Sequence, residues 1–138
     1  MKSVAVVLDA SVVVELVLGT RSGEGIRRAL PAPQVSLHTL DLVDLEVLNA
    51  LRRYVGSGTV EAGRAALAVD HLNEFDLLRR SHRAMLHRIW SWRHNLTPYD
   101  AAYVTLAEAL SVPLLTMDRR LAQAPGLPID VDVFTPPS

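Results

Sequence analysis

Apolar residues occur along this chain in short unbroken runs separated by longer stretches in which they recur every three or four positions. Val4–Leu8 is an apolar run without alternation and predicts a strand buried on both faces, as in a parallel sheet. Gln34–Leu37, Pro113–Met117 and Ile129–Phe134 predict further short strands. Phe75–Leu78 fits either a strand or a turn.

Helices are predicted between these strands from their start and stop signals. Ser11 is a candidate N-cap for a helix that ends at Gly19. Thr97 and Pro98 have the residue types typical of N-cap and N1, and the helix Tyr99–Leu110 is apolar nearly all round, which predicts a central, buried helix. The other predicted helices span Ser22–Leu30, Asp41–Val55 with Asp41 as N-cap, Thr59–Phe75, Ser81–His94 and Arg119–Ala124.

This alternation of strands and helices predicts an α/β fold with a short central parallel sheet flanked by helices. The length of 138 residues, almost half of them hydrophobic, suits one continuous domain over residues 1–138. No apolar run approaches the roughly 18 residues of a membrane span, so we expect a soluble, unexported, cytoplasmic protein that does not bind membranes.

Composition excludes some chemistries and leaves others open. The chain has no cysteine, which rules out disulfides, a thiol nucleophile and a thiolate metal site. The five histidines form no H-E-x-x-H pattern, so we assign none of them to a metal. A generic polyanion binder would be more basic than a chain of net charge −1. Neutralising four acids with metal would shift that balance to about +3, which leaves a nucleic-acid substrate open.

Four acidic residues occur at places that the predicted fold brings towards one crevice. Asp9 and Asp118 directly follow strands, whose carboxyl ends form the ligand crevice of open α/β sheets. Glu46 is early in its helix, and Asp100 is in the first turn of the helix that Thr97 caps. If the two strands are neighbours, all four carboxylates can meet, and Mg²⁺ or Mn²⁺ would relieve their repulsion. We call these four residues the acidic quartet.

Each member of the quartet also has a simpler structural interpretation. Asp9 could cap the turn into the first helix, and Asp118 could start the turn that follows it. Glu46 could be an exposed helix residue paired with a nearby arginine. Asp100 lies three residues after Thr97 and could serve a capping box. None of these positions is specific singly, and the prediction rests on their combination and order.

The sequence resembles the PIN-domain nucleases, and within them the VapC-type toxins of bacterial toxin–antitoxin pairs. The matching stretches are VVLDASVVVELV, LVDLEVLNALRR, LTPYDAAYVTLAEAL and PLLTMDRRLA, which together cover most of the chain. The resemblance implies the PIN fold and Mg²⁺- or Mn²⁺-dependent endoribonuclease activity. It also implies a homodimer and a cognate antitoxin protein that blocks the site.

The resemblance also assigns roles to individual residues. Asp9 and Asp100 match its strongest motifs and are expected to be the principal metal ligands, with Glu46 and Asp118 completing the catalytic quartet. Ser11 and Thr116 match small hydroxyl positions near the site and could orient a ligand or a water molecule. Their alternatives are helix capping for Ser11 and simple strand packing for Thr116.

Two arginine-rich stretches are further candidates for contact with RNA. Arg79–Arg93 contains five arginines together with Trp90 and Trp92, and such a stretch can neutralise phosphates and stack on bases. The alternative is a solvated helix with a tryptophan buried in the core or in a dimer interface. Arg119 and Arg120, beside the last acid of the quartet, are candidates for binding phosphate.

Two other classes of function stay open at this level. A PIN-fold binding module with little activity would act through a protein partner. The acidic quartet disfavours this alternative, because a scaffold does not need four acidic residues that converge on one crevice. A phosphoacceptor domain would need paired acids beside the nucleophile on the first strand, and Val6, Val7 and Leu8 precede Asp9 without such a pair.

Overall fold

A five-stranded parallel sheet forms the centre of the molecule in a computed structural model that describes residues 4–31 and 34–136. Its strands are β1 (Val4–Leu8), β2 (Val35–Leu40), β3 (Leu78–Arg80), β4 (Leu114–Thr116) and β5 (Val131–Val133). They lie in the order β3-β2-β1-β4-β5, and every neighbouring pair is parallel. The segment Phe75–Leu78, for which the sequence allowed either a strand or a turn, forms a strand only from its last residue, Leu78, onward.

Helices flank the sheet and connect its strands, which confirms the predicted α/β fold. They are α1 (Ala10–Leu18), α2 (Arg21–Ala29), α3 (Val43–Gly56), α4 (Ala62–Glu74), α5 (Leu86–Ser91), α6 (Pro98–Leu110) and α7 (Arg119–Ala122), with a 3₁₀ turn at Arg83–Met85. Among the described residues, no helix has the length and apolar character needed to cross a bilayer.

The strands that precede Asp9 and Asp118 are direct neighbours at the centre of the sheet. β1 pairs with β2 on one side and with β4 on the other, with Leu8 opposite Leu115. After β1 the chain therefore builds β2 and β3 on one side of this strand, and it later builds β4 and β5 on the opposite side of β1. This reversal creates the crevice at the carboxyl ends of two parallel strands in which α/β proteins bind ligands.

Helix α6 forms the buried centre of one helical layer, as predicted. All seven residues from Ala101 to Ala107 are buried, and the helix packs against β1, β2 and β4. The Thr97 hydroxyl caps it by accepting a hydrogen bond from the Asp100 amide at 3.2 Å. This packing fixes the first turn of α6, and therefore Asp100, relative to the carboxyl ends of the central strands.

The start of α1 differs from the prediction, whereas its end agrees with it. Asp9 is the N-cap and accepts a hydrogen bond from the Val12 amide at 3.3 Å, so the assignment of this role to Ser11 was wrong. Gly19 ends the helix at a φ of 64°, a left-handed conformation that glycine adopts without steric cost. The strand therefore passes directly into the helix at Asp9, which fixes both the backbone and the side chain of this residue.

Two other predicted boundaries were wrong, the first of them because strand pairing continued β2 beyond its predicted end. β2 runs on to Leu40, and the Asp41 amide then donates to the Arg80 carbonyl at 2.9 Å. Asp41 therefore belongs to the end of the sheet, and α3 begins two residues later without a side-chain cap. The single helix predicted over Ser81–His94 is a 3₁₀ turn followed by the six-residue α5, and the Ser81 hydroxyl instead accepts from the Arg83 amide in a turn.

Candidate active site

Asp9 lies buried at the carboxyl end of β1 with hydrogen bonds to both of its carboxylate oxygens. Its side chain is only 7% exposed. Oδ1 accepts from the Ser11 hydroxyl and the Val12 amide, and Oδ2 accepts from the Thr116 hydroxyl at 2.5 Å. Burial raises the pKa of Asp9, and these hydrogen bonds oppose that shift. The carboxylate is thus held in one orientation where a negative charge is unfavourable without a nearby cation.

The hydroxyls of Ser11 and Thr116 connect the two central strands around Asp9. Besides donating to Asp9, the Ser11 oxygen accepts from the Met117 amide at 2.9 Å, and the Thr116 oxygen accepts from the Asp118 amide at 3.1 Å. Both residues therefore orient a site carboxylate, and their simpler interpretations as a cap and as strand packing do not account for these bonds. Fixing a carboxylate through a second layer of hydrogen bonds is typical of sites that bind metal.

Glu46 points into the same region from α3 and is half-buried. Tyr103 on α6 donates a hydrogen bond from its hydroxyl to Glu46 Oε1 at 2.6 Å. Burial raises the pKa of Glu46, and the negative charges of Asp9 and Asp100 raise it further. In the described part of the chain no arginine pairs with Glu46, so the simpler interpretation of an exposed, paired helix residue was wrong.

Tyr103 is the site residue that the sequence interpretation missed. It is 2% exposed in the buried part of α6, and burial together with the Glu46 carboxylate raises its pKa. The available signal was the residue type itself, since a buried tyrosine hydroxyl usually finds a hydrogen-bond partner. That signal does not identify the partner, which lies 57 positions earlier in the chain.

Asp100 in the first turn of α6 and Asp118 just after β4 are close enough for their charges to interact. Burial is the main cause of the raised pKa of Asp100, the charge of Asp118 raises it further, and Arg120 opposes the shift. Asp118 is the N-cap of α7 and accepts from the Arg120 amide at 2.9 Å. Asp118 therefore starts the turn that follows it, as one interpretation of the sequence predicted, and it also lies near Asp100.

The structure brings the quartet together electrostatically but does not form a closed metal cage. The charge of Asp100 raises the pKa of Asp9, and the charges of Asp9 and Asp100 both raise the pKa of Glu46. The charge of Asp118 raises the pKa of Asp100. Within residues 4–31 and 34–136, no three acidic, histidine or cysteine side chains are close enough to ligate one ion together. This donor set fits a hard divalent cation that keeps several waters and takes one or two carboxylates directly, as Mg²⁺ does.

An open cavity of about 420 Å³ adjoins the quartet between α1 and α3. Ser11 and Glu46 line it from the site, and Asn49 and Arg53 line its outer wall. A second cavity of about 510 Å³ is mainly apolar and lies between α2 and the start of β2, where no quartet residue lines it. Of these two cavities, the polar one therefore reaches the quartet, at Glu46.

The raised carboxyl pKa values predict how stability depends on pH without metal. Asp9, Glu46 and Asp100 bind protons more readily when folded than at their ordinary pKa values of 3.8 to 4.5. Because the folded state then holds more protons than the unfolded state, the free energy of unfolding should fall as pH rises above about 4. Urea unfolding in the presence of chelator should reveal this fall, and it should be smaller in Asp100→Asn. Equal pH dependence in the two proteins would contradict the assignment.

The fold is that of a PIN domain, and the PIN domain family model matches residues 6–127. The chain therefore belongs to the PIN domain family. Within that family it belongs with the VapC ribonucleases. It is 42% identical over 126 residues to ribonuclease VapC1 of Mycobacterium tuberculosis, covering 91% of this chain and 94% of that relative. As a member of this group the chain is a nuclease, which confirms the expected enzyme class.

Solved structures agree with this family assignment. PAE2754 from Pyrobaculum aerophilum superimposes with a TM-score of 0.66 at 26% identity, covering 95% of this chain and 85% of that one. The VapBC2 structure from Rickettsia felis, bound to a DNA fragment from its promoter, gives a TM-score of 0.67 at 12% identity, with coverage of 95% and 99%. At that identity the second likeness supports the fold alone.

Proposed function

We propose that this protein is the toxin of a toxin–antitoxin pair and a Mg²⁺- or Mn²⁺-dependent endoribonuclease that hydrolyses RNA phosphodiesters at the acidic quartet. The observation that carries the proposal is the burial of Asp9, Glu46 and Asp100 near the carboxyl edge of the sheet, where burial raises the pKa of each acid and a neighbouring carboxylate raises it further. Three acids with raised pKa values at a topological switch point form an unfavourable arrangement that a bound divalent cation would stabilise.

The quartet residues would hold the cation, with Asp9 and Asp100 as the principal direct ligands and Glu46 and Asp118 completing the set through water molecules bound to the ion. A bound divalent cation would lower the pKa of a water molecule and neutralise charge on the phosphodiester. Ser11 and Thr116 hold the Asp9 carboxylate in one orientation, and Tyr103 does the same for Glu46. Arg120 adds a positive charge beside Asp118, 92% exposed and able to contact a phosphate.

The proposal extends to partners and organisation. A cognate antitoxin is what the resemblance to VapC-type toxins implies, and the 42% identity to ribonuclease VapC1 supports that expectation for this chain. We further propose a homodimer, a single domain over residues 1–138, and action in the cytoplasm, where a chain without cysteine suits a reducing environment.

A catalytically weak binding module that acts through its protein partner is the second candidate. Membership of the VapC ribonucleases disfavours this candidate, and the observation on its side is that no three described acidic residues lie close enough to ligate one ion directly. Such a module would retain its partner but would not cleave RNA when purified alone.

RNA cleavage by the purified, antitoxin-free protein distinguishes these two candidates. We expect cleavage with Mg²⁺ or Mn²⁺ and none with excess chelator, with activity restored when metal is added back. Cleavage that persists unchanged in chelator would contradict a metal-dependent mechanism. A protein that binds Mn²⁺ and its antitoxin but cleaves no RNA in a total-RNA digest would favour the binding module.

A further inference from the structure

Positive charge is concentrated in one part of the chain. Residues 77–99, which we call the basic segment, contain five arginines and no acidic residue, so the segment carries +5 with histidine neutral. Because the whole chain carries −1, the remaining residues carry −6. A strong local excess of arginine on an otherwise acidic protein is the electrostatic mark of a surface that attracts a polyanion.

The fold brings both ends of the basic segment to the carboxyl edge of the sheet. The segment includes β3, whose last residue Arg80 is bonded to Asp41 just after β2, and it ends at Tyr99, directly before Asp100. Between them α5 packs against α6, where Arg88 pairs with Glu108 at 2.8 Å. Glu108 is eight residues from Asp100, or about 12 Å along the helix axis. Arg80 and Tyr99 therefore lie at the same edge of the sheet as the quartet, and Arg88 lies farther away along α6.

The two tryptophans of the segment have different environments. Trp92 is 8% exposed and belongs to the core, as one interpretation of the sequence anticipated. Trp90 is 65% exposed, and the Arg93 guanidinium lies 5.0 Å from its ring centroid. A flat, exposed aromatic ring beside a cation is the arrangement on which unpaired bases stack in proteins that bind single-stranded nucleic acid.

Several arginines of the segment are available to bind phosphate. Arg79 and Arg88 are engaged by Asp44 and Glu108. No carboxylate in the described ranges forms an ion pair with Arg80, Arg83 or Arg93. Burying unpaired guanidinium groups against a protein is costly, and a two-fold dimer through this surface would place the positive segment against its own copy. RNA phosphates supply the missing negative charge.

We propose that the basic segment is the binding surface for single-stranded RNA next to the cleavage site, with Trp90 as the stacking platform for an unpaired base and Arg83 and Arg93 as phosphate contacts. This inference rests on the proposed ribonuclease function and specifies how the substrate is held. Single-stranded RNA is favoured over a duplex because stacking on Trp90 requires a base with a free face.

The test is binding of a mixed-sequence single-stranded oligoribonucleotide in excess chelator. Binding is monitored through the tryptophan fluorescence of the protein and through the fluorescence anisotropy of a labelled oligonucleotide. We expect RNA to quench the exposed Trp90, and Trp90→Ala to weaken binding about 5- to 100-fold. Trp90→Phe, which keeps an aromatic face, should recover most of the affinity. Arg93→Ala should reduce the slope of affinity against salt by about one unit, whereas Arg28→Ala on the exposed face of α2 should not.

Three results would overturn the inference. One is wild-type affinity in Trp90→Ala, and another is equal binding of a duplex and of the single strand. The third is a lower oligomeric mass for Trp90→Ala in sedimentation, which would mean that a second copy covers this surface. RNA cleavage measured with Mg²⁺ separates this inference from the proposed function. If the wild-type protein cleaves RNA and Trp90→Ala cleaves it with the same kinetics, only the proposed binding surface is rejected. Trp90-dependent RNA binding without any cleavage would reject only the nuclease proposal.

Discussion

Asp100→Asn is expected to lower kcat/KM for metal-dependent RNA cleavage by about 10²- to 10³-fold or more, comparable with the loss of one preorganised electrostatic group from an enzyme site. Without metal the same substitution should leave the fold intact and raise the free energy of unfolding at neutral pH. The reason is that burial and the charge of Asp118 make the ionised form of Asp100 unfavourable in the folded state. Cleavage kinetics and urea unfolding, measured on the same preparations, test both expectations.

The matched control is Asp70→Asn, which removes one carboxylate from the exposed face of α4. It should change neither cleavage nor the effect of metal on stability. If Asp100→Asn were to cleave RNA at the wild-type rate, the assignment of Asp100 to the site would be wrong. Opposite changes in activity and stability are the expected signature, because a merely damaged fold would lose both.

Thr116→Val should be the next most damaging substitution, although it keeps the shape of the side chain. It removes the hydroxyl that donates to Asp9 and accepts from the Asp118 amide in a fully buried position. We expect a stability loss of about 1–3 kcal/mol from the buried groups left without a partner. Activity should fall about 10- to 100-fold, as for other residues that orient a metal ligand.

Two variants serve as controls for Thr116→Val. Thr116→Ser keeps the hydroxyl and should recover most of the activity. Thr105→Val makes the same chemical change in α6, where the Thr105 hydroxyl is buried and has no hydrogen-bond partner among the described residues. That change should be neutral or stabilising, by up to about 1 kcal/mol. A Thr116→Val protein with wild-type kinetics would mean that the orientation of Asp9 does not depend on this hydroxyl.

The order of strands and helices and the location of the quartet were predictable from the sequence because they depend on local signals. Buried apolar runs predicted β1 and β4, and the acids within two residues of their ends had to lie at the carboxyl edge of a parallel sheet. Thr97 and Pro98 fixed the start of α6, and with it the position of Asp100 in its first turn.

The features that were not predictable depend on contacts between distant parts of the chain. The Tyr103–Glu46 bond joins α6 to α3, and no periodicity in either helix identifies that partner. Asp41 has the residue type of an N-cap, but its amide is engaged by the β3 strand, so α3 starts later. Asp9 replaced Ser11 as the cap of α1, because a carboxylate at the end of β1 is positioned to accept the Val12 amide directly.

The site thus combines two roles in the same residues. Asp9 and Asp118 cap α1 and α7, and Asp100 lies in the first turn of α6, where helix N-termini offer a partial positive charge. Capping therefore holds these carboxylates in position, while burial leaves the ionised forms of Asp9 and Asp100 poorly stabilised. The structural interpretations of these acids and the proposed metal-binding role are compatible, and the capping geometry supplies the preorganisation that the proposed role needs.

The most direct test is to measure Mn²⁺ binding to the antitoxin-free protein without RNA, using the electron paramagnetic resonance signal of the free ion to monitor binding. The account predicts that the wild-type protein and Asp70→Asn bind Mn²⁺ alike and that Asp100→Asn binds it at least about tenfold more weakly, a loss of about 1.4 kcal/mol. Undiminished Mn²⁺ binding by Asp100→Asn would contradict the claim that the acidic quartet holds the metal.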